Sequence, residues 1–81
     1  MELNEEIVGK FINVLEGAIN KCEYYEITKV TPKMVYTKSK DGQEVKFKKV
    51  ELNEKLESKT YVIDTVRCNP FYKLVKKNNK K

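Results

Sequence analysis

The dipeptide Asp41-Gly42 is the feature that most constrains the fold of this chain. It separates two stretches in which apolar and polar residues alternate, Met34 to Lys40 and Gln43 to Val50. An Asp-Gly pair between such stretches is the strongest short-range signal for a β-hairpin, because both residues accept the backbone angles of a tight turn. A two-residue turn would place Tyr36 opposite Phe47. The face directed toward the core would then consist of Met34, Tyr36, Val45 and Phe47.

The N-terminal stretch shows a different periodicity. From Leu3 to Cys22, apolar residues recur three and four positions apart, which is typical of an amphipathic helix. Asn4 is a suitable N-cap, and Glu5 and Glu6 follow it where the helix dipole favours acidic side chains. The pattern therefore predicts a helix over residues 4 to 21.

Three further segments complete the set of predicted elements. Tyr24 to Thr31 and Thr60 to Cys68 are rich in β-branched and aromatic residues, and each ends at or next to a proline. Phe71 to Lys76 is interpreted as a short fifth strand. Leu52 to Lys59 is polar and contains a single helical turn at most.

Together these elements predict an α+β domain, with the N-terminal amphipathic helix packed on an antiparallel sheet of four or five strands. The sheet could be strongly bent or barrel-like. The domain would span residues 1–75, and residues 76–81 would form a basic, flexible tail. A chain of 81 residues buries only a modest core, so we expect a homodimer.

Charge is distributed unevenly along the chain. Residues 1–26 contain two Lys and six Glu, a net charge of −4, whereas residues 27–81 carry a net charge of +9. Such a polarised molecule attracts polyanions on its basic side. The excess of Lys over Arg is also what an AT-rich genome encodes, but codon bias does not explain why the lysines are concentrated in one part of the chain.

Several classes of protein are disfavoured. The acidic start is unlike a signal peptide, and no apolar run reaches membrane-spanning length, which indicates a cytoplasmic protein without membrane contact. Cys22 and Cys68 lack metal-ligand spacing, so we expect two reduced thiols and no metal or other cofactor. Without His the commonest general base is missing, and we predict that the chain is not an enzyme.

The predicted function is nucleic-acid binding, with RNA favoured over DNA. Lysines and aromatics would contact phosphates and stack on bases, respectively. RNA is favoured because the predicted helix has few cations and is unlike a helix that reads a DNA groove. The candidate contact residues lie in the hairpin and toward the C-terminus, and they are Lys33, Lys38, Lys40, Lys46, Lys48, Arg67, Tyr72, Lys73, Lys76 and Lys77.

Two resemblances accompany this interpretation. A helix followed by five strands, with the SKDGQ hairpin in the middle, resembles the topology of Sm-like RNA-binding proteins. The Lys- and Asn-rich composition of the chain, as in the stretch LVKKNNKK, resembles that of the small early proteins of large lytic phages. The phage resemblance implies a regulator or a factor that counters host defence.

Two alternatives remain open. The basic face could inhibit a host enzyme, such as a defence toxin or a nuclease, by binding an anionic or RNA-binding protein. Alternatively, the chain could be a small homo-oligomeric structural module joined through sheet edges or the helix. The hairpin lysines could also serve only to block edge-to-edge pairing of sheets.

Overall fold

A computed structural model describes residues 3–78 of the chain and the side chains of residues 3–76. Within residues 3–78 there are five strands, two α-helices and a 3-10 helix. Their order is the 3-10 helix Glu5–Ile7, β1 Phe11–Val14, β2 Glu23–Val30, β3 Met34–Ser39, β4 Glu44–Lys48, α1 Lys49–Glu57, β5 Tyr61–Asp64 and α2 Pro70–Asn78.

The five strands form one antiparallel sheet in the order β4-β3-β2-β1-β5. Although β4 and β5 are the two edge strands, the rings of Phe47 on β4 and Tyr61 on β5 lie 6.1 Å apart and meet edge to face. The sheet is therefore curved so that side chains from its two edges converge on one face. We call this concave face the inner face and its opposite the outer face.

The inner face carries the hydrophobic core. Ile7 from the 3-10 helix, Leu3 just before it and Leu52 from α1 pack against the sheet there, and all three are buried. The buried sheet residues of this core are Ile12, Ile27 and Val35, with Tyr25, Val30, Phe47, Leu56, Tyr61 and Ile63 packed around them. Helix α1 connects the two edge strands, and Leu52 and Leu56 are four residues apart on the side that faces the core.

The prediction of an N-terminal amphipathic helix is wrong. A 3-10 helix of three residues follows Asn4, whose side chain accepts a 2.8 Å hydrogen bond from the backbone N–H of Glu6. The chain then turns at Gly9 and enters β1. Gly9 and Gly17 have φ angles of 92° and 87°, which an α-helix cannot contain. Neighbouring residues on opposite faces of β1 are both buried. Its apolar residues therefore do not alternate with polar ones, and their spacing fitted the pattern of a helix.

The predicted fifth strand, Phe71 to Lys76, is also wrong, because this segment lies in α2. Asn69 accepts a 2.8 Å hydrogen bond from the backbone N–H of Tyr72, and Pro70 begins the helix. Asn followed by Pro is a helix start signal, since the side chain caps a free N–H and proline needs no donor there. The boundary predicted between residues 75 and 76 falls inside α2, and residues 79–81 of the predicted tail lie outside the described residues.

The Asp41-Gly42 hairpin is present, but its register differs by one residue from the prediction. Val35 pairs with Phe47, and Tyr36 pairs with Lys46. Ser39 and Gln43 close a three-residue loop in which Gly42 has a φ of 87°. Such loops end in a left-handed residue, and the extra residue exchanges the faces of the strand. Val35 and Thr37 therefore face the core, whereas Met34 and Tyr36 face outward.

Candidate nucleic-acid interface

The outer face of β2, β3 and β4 carries an aromatic ring with a lysine on each side. Tyr36 on β3 pairs with Lys46 on β4 and with Lys29 on β2. Each ammonium nitrogen lies 5.6 Å from the centre of the Tyr36 ring. At that distance a cation is attracted to the face of the ring. The sheet thus builds a row of cation, aromatic ring and cation, which we call the Tyr36 row (Lys29, Tyr36 and Lys46).

A β-bulge helps to assemble this row. The pairing of β2 with β3 shifts between Ile27 and Lys29, and the hydroxyl of the intervening Thr28 donates a 3.2 Å hydrogen bond to the carbonyl of Tyr36. A bulge inserts one unpaired residue and changes the face on which the following side chains lie. The bulge therefore lets Ile27 face the core while Lys29 lies beside Tyr36.

Two further predicted lysines lie next to the Tyr36 row. Lys48 pairs with Met34, one step along the same face, and both Lys48 and Lys33 are exposed. The carbonyl of Lys33 accepts a 3.1 Å hydrogen bond from the backbone N–H of Lys49, which fixes the end of the hairpin. Positive charge is therefore concentrated at the end of the sheet where β3 begins and β4 ends.

Charge on the other side of the row is balanced. Lys38 lies between Glu26 on β2 and Glu44 on β4, each of which is its direct cross-strand partner. Opposite charges in this arrangement offset each other. Lys38 is exposed, but it adds little net charge to the surface around Tyr36.

The remaining predicted residues are more scattered. Lys40, near the hairpin tip, donates a 3.1 Å hydrogen bond to the carbonyl of Cys22, at the opposite end of β2 from Lys29. The guanidinium of Arg67 lies 6.0 Å from the centre of the Tyr24 ring, which makes an edge contact with Phe11. Arg67 and Tyr24 thus form a second pair of cation and ring, separate from the Tyr36 row.

Tyr72 and Lys76 on α2 are partnered with Asp64 on β5. The Tyr72 hydroxyl donates a 3.0 Å hydrogen bond to Asp64, and the Lys76 ammonium lies 3.9 Å from the same carboxylate. Burial, together with the hydrogen bond to Asp64, raises the pKa of Tyr72 to about 12. Burial acts to raise the pKa of Asp64 as well, but the Thr65 backbone N–H, the Tyr72 hydroxyl and Lys76 together lower it.

Lys73 has an internal role that the sequence did not indicate. Its side chain is completely buried, and its ammonium donates hydrogen bonds of 2.6, 2.7 and 2.7 Å to the carbonyls of Glu16, Ala18 and Lys21. All three ammonium protons are thus used within the molecule. Lys73 is therefore not on the surface where a ligand could reach it. The side chain of Lys77 lies outside the described residues.

Sequence reasoning missed Lys29 and the outward position of Tyr36. Of the ten predicted residues, the structure places Lys46 beside this ring, Lys48 one pair further along the same face and Lys33 just before β3. The signal that could have found the outward position of Tyr36 was the glycine in the Asp-Gly turn, because a three-residue loop ending in glycine is a common hairpin connection. With that loop, Tyr36 pairs with Lys46 and moves to the outer face. The position of Lys29 depends on the bulge in β2.

A separate shallow pocket of about 290 Å³ lies at the other end of the sheet, lined by Val14, Glu16, Gly17, Lys21, Glu23, Tyr25 and Tyr61. The pKa of Tyr25 is raised by burial and, to a smaller extent, by the neighbouring Tyr61 and Glu23. Burial, Glu16 and Glu23 likewise raise the pKa of Tyr61. Both phenols therefore stay protonated at neutral pH.

Two negative findings concern the described part of the chain. Over residues 3–78, no group of three or more acidic, Cys or His side chains is arranged to hold a metal ion. No helix in this range is long and apolar enough to cross a membrane.

The fold and the surface define a small domain in which a curved antiparallel sheet presents a lysine-flanked tyrosine on its outer face. Residues 21–80 match the family model of the YpuD C-terminal domain, and the chain belongs to this family. The match begins just before β2 and so leaves out β1, the strand between β2 and β5. No curated protein and no solved structure matches the chain. The resemblances to Sm-like proteins and to phage proteins stay predictions.

Proposed function

We propose that this protein binds single-stranded nucleic acid, RNA in preference to DNA, through the Tyr36 row. The observation that carries the proposal is the Tyr36 ring, which has the ammonium groups of Lys29 and Lys46 each 5.6 Å from its centre. Proteins that bind single strands combine aromatic rings, on which bases stack, with cations that follow the phosphate backbone. The row supplies both groups side by side.

In this mechanism a base stacks on Tyr36, and Lys29 and Lys46 move from the ring to the phosphates on either side of that base. Lys48 and Lys33 extend the positive surface along the strand. Stacking accepts any base, and phosphate contacts carry little sequence information. The expected binding is therefore weakly dependent on sequence and strongly dependent on salt.

A single strand suits this surface better than a duplex. The Tyr36 row lies on the outer face of a five-stranded sheet, and so broad a face cannot enter the major groove of B-DNA as a recognition helix does. RNA is favoured because its loops and ends present unstacked bases, which aromatic side chains on a sheet bind in known RNA-binding modules.

The test is a salt titration of binding to an unstructured RNA oligonucleotide. Each phosphate contact contributes about −0.7 to the slope of log affinity against log salt concentration. Replacing both Lys29 and Lys46 by Gln is expected to flatten that slope by about 1.4. A matched double variant, Lys21→Gln with Lys59→Gln, removes the same charge from two exposed sites outside the outer face of β2, β3 and β4. It is expected to leave the slope nearly unchanged.

Equal effects of the two double variants would show that binding depends only on overall charge, and the Tyr36 row would then have no special role. Weaker binding to RNA than to DNA of the same sequence would contradict the RNA preference alone. The two results are distinct, because the first concerns the site and the second concerns the ligand.

A second candidate function is binding to a protein, as an inhibitor of a host enzyme. The observation that favours it is the stripe of exposed apolar residues on α2, formed by Phe71, Leu74 and Val75. Exposed apolar clusters often mark protein interfaces. A Phe71→Ser variant tests this function. If the variant keeps full RNA affinity but loses a protein partner, then α2 binds that protein and takes no part in RNA binding.

A further inference from the structure

The loop between β1 and β2 is held against the start of α2 by Lys73. The ammonium of Lys73 binds the carbonyls of Glu16, Ala18 and Lys21, and Lys21 directly precedes Cys22. At its other end, the backbone N–H of Lys73 donates a 2.9 Å hydrogen bond to the carbonyl of Asn69, which directly follows Cys68. Lys73 therefore contacts the neighbours of both cysteines, Lys21 through its side chain and Asn69 through its backbone.

The two cysteines lie at the same end of the β1–β2 pairing. Cys68 is buried, and its Sγ lies 3.9 Å from the carbonyl of Val14, whose partner across the sheet is Glu23. Cys22 directly precedes Glu23, and its Sγ lies 3.4 Å from the carbonyl of Ile19. Burial raises the pKa of the Cys68 thiol, and Cys22, which lies close enough to interact with it, raises that pKa further. Both are free thiols, and Cys22 is partly exposed to solvent whereas Cys68 is not.

We propose that Cys22 and Cys68 form a thiol pair that a small disulfide, such as oxidised glutathione, converts reversibly into an intramolecular disulfide. The bond would join the β1–β2 loop to the segment that precedes α2. Because Lys73 already holds these two segments together, the bond requires little movement of the backbone.

The reaction balances in two exchanges. The Cys22 thiolate attacks one sulfur of the small disulfide and releases one molecule of small thiol, which leaves a mixed disulfide on Cys22. Cys68 then attacks the Cys22 sulfur and expels the second small thiol. The two cysteines are oxidised, the small disulfide is reduced to two thiols, and the two protons from the cysteines finish on those thiols.

The order of attack follows from accessibility. Cys22 is the thiol that a dissolved molecule can reach. Burial, with contributions from Cys22, raises the pKa of Cys68 to about 11, although Lys73 acts in the opposite direction. Cys68 is therefore mostly protonated at neutral pH, so only a small fraction is the reactive thiolate at any moment. Its position near Cys22 favours the second step, because it supplies a high effective concentration.

The experiment equilibrates the wild-type protein in glutathione redox buffers and determines its thiol state by acid quenching and peptide mass spectrometry. The same titration is repeated in concentrated urea. We expect one intramolecular Cys22–Cys68 bond, with an equilibrium constant at least about tenfold larger in the folded protein than in urea, because the fold holds the thiols together. An equal or smaller constant in the folded protein would overturn the proposal.

A matched pair of variants tests the order of attack. Cys68→Ala is expected to stop at the mixed disulfide with one glutathione on Cys22, and Cys22→Ser is expected to remain unmodified while folded. Wild-type protein that stops at the mixed disulfide, or that links two molecules through Cys22, would refute the pairing without relying on any variant. Modification of Cys68 in folded Cys22→Ser would refute the order.

Discussion

The Nζ atom of Lys73 lies 2.6 Å from the carbonyl oxygen of Glu16, although the two residues are 57 positions apart in the chain. With the carbonyls of Ala18 and Lys21, this contact replaces the water that a lysine ammonium normally binds. A buried charge is tolerated only when its hydrogen bonds are replaced in this way. The contact joins α2 to the β1–β2 loop and explains why a lysine occupies a fully buried position.

Lys73→Met is expected to lower the free energy of unfolding by about 3 kcal/mol, because three carbonyls that bound a charged group lose their donor. Urea denaturation followed by circular dichroism measures the change. Lys76→Met, on the exposed side of the same helix, is the control and should change stability by less than about 1 kcal/mol. Similar losses in both variants would contradict the internal role of Lys73.

Tyr36→Leu is expected to weaken binding to single-stranded RNA by about 1–3 kcal/mol, or roughly 5- to 150-fold, because the stacking surface is lost. The salt slope should stay unchanged, since the lysines remain. Tyr36→Phe keeps the ring and should bind almost as well as the wild type. Fluorescence anisotropy at several salt concentrations separates the two contributions, and equal binding by the Leu and Phe variants would exclude stacking on Tyr36.

Gly9→Ala distinguishes the observed N-terminal structure from a helix. In a helix this substitution would stabilise the protein, because alanine has the higher helix propensity. At the observed φ of 92°, with no atom within 4 Å of the added methyl group, backbone strain alone should destabilise the protein by about 1 kcal/mol. Gly9→Asn should cost less, since Asn tolerates positive φ. Thermal unfolding that shows a stabilised Ala variant would contradict this structure.

Tyr72→Phe removes the hydroxyl that binds Asp64 and is expected to lower stability by about 1 kcal/mol near pH 7. The pKa of Asp64 is lower in the folded protein than its ordinary value of 3.8. The stability that ionised Asp64 contributes is therefore fully present above pH 3.8, and it is lost as the pH falls through the lower pKa of the folded protein. The difference between variant and wild type should therefore shrink in acid. Denaturation curves at pH 7 and below pH 3.8 measure it, and a constant difference would contradict the link to Asp64.

The homodimer stays a prediction, and it would use the same apolar stripe of α2 as the second candidate function, so the two compete for one surface. Phe71 on α2 is 75% exposed, and with Leu74 and Val75 it forms an apolar stripe that nothing covers within the described residues. We expect this stripe to pair with its copy in a second chain, since burying apolar area stabilises association. Leu74→Glu should shift light scattering and sedimentation from dimer to monomer, whereas Val50→Glu, on α1, should not. A monomeric wild type up to millimolar concentration would refute the dimer.

The sequence by itself determined the antiparallel sheet and the position of its hairpin. Alternating residues on both sides of Asp41-Gly42 specify paired strands through purely local preferences, so they could be identified without the fold. The lysines of the hairpin could also be placed on the surface from the sequence, because an unpaired charge is rarely buried.

Only the tertiary structure decided the rest. The segment from Phe11 to Val14 became a strand because its position between β2 and β5 buries both of its faces, and burial on both faces removes the alternation that identifies a strand. One extra residue in the hairpin loop moved Tyr36 from the core face to the outer face. Lys73 could be buried because distant carbonyls converge on it, and no local pattern in a sequence encodes contacts between residues so far apart.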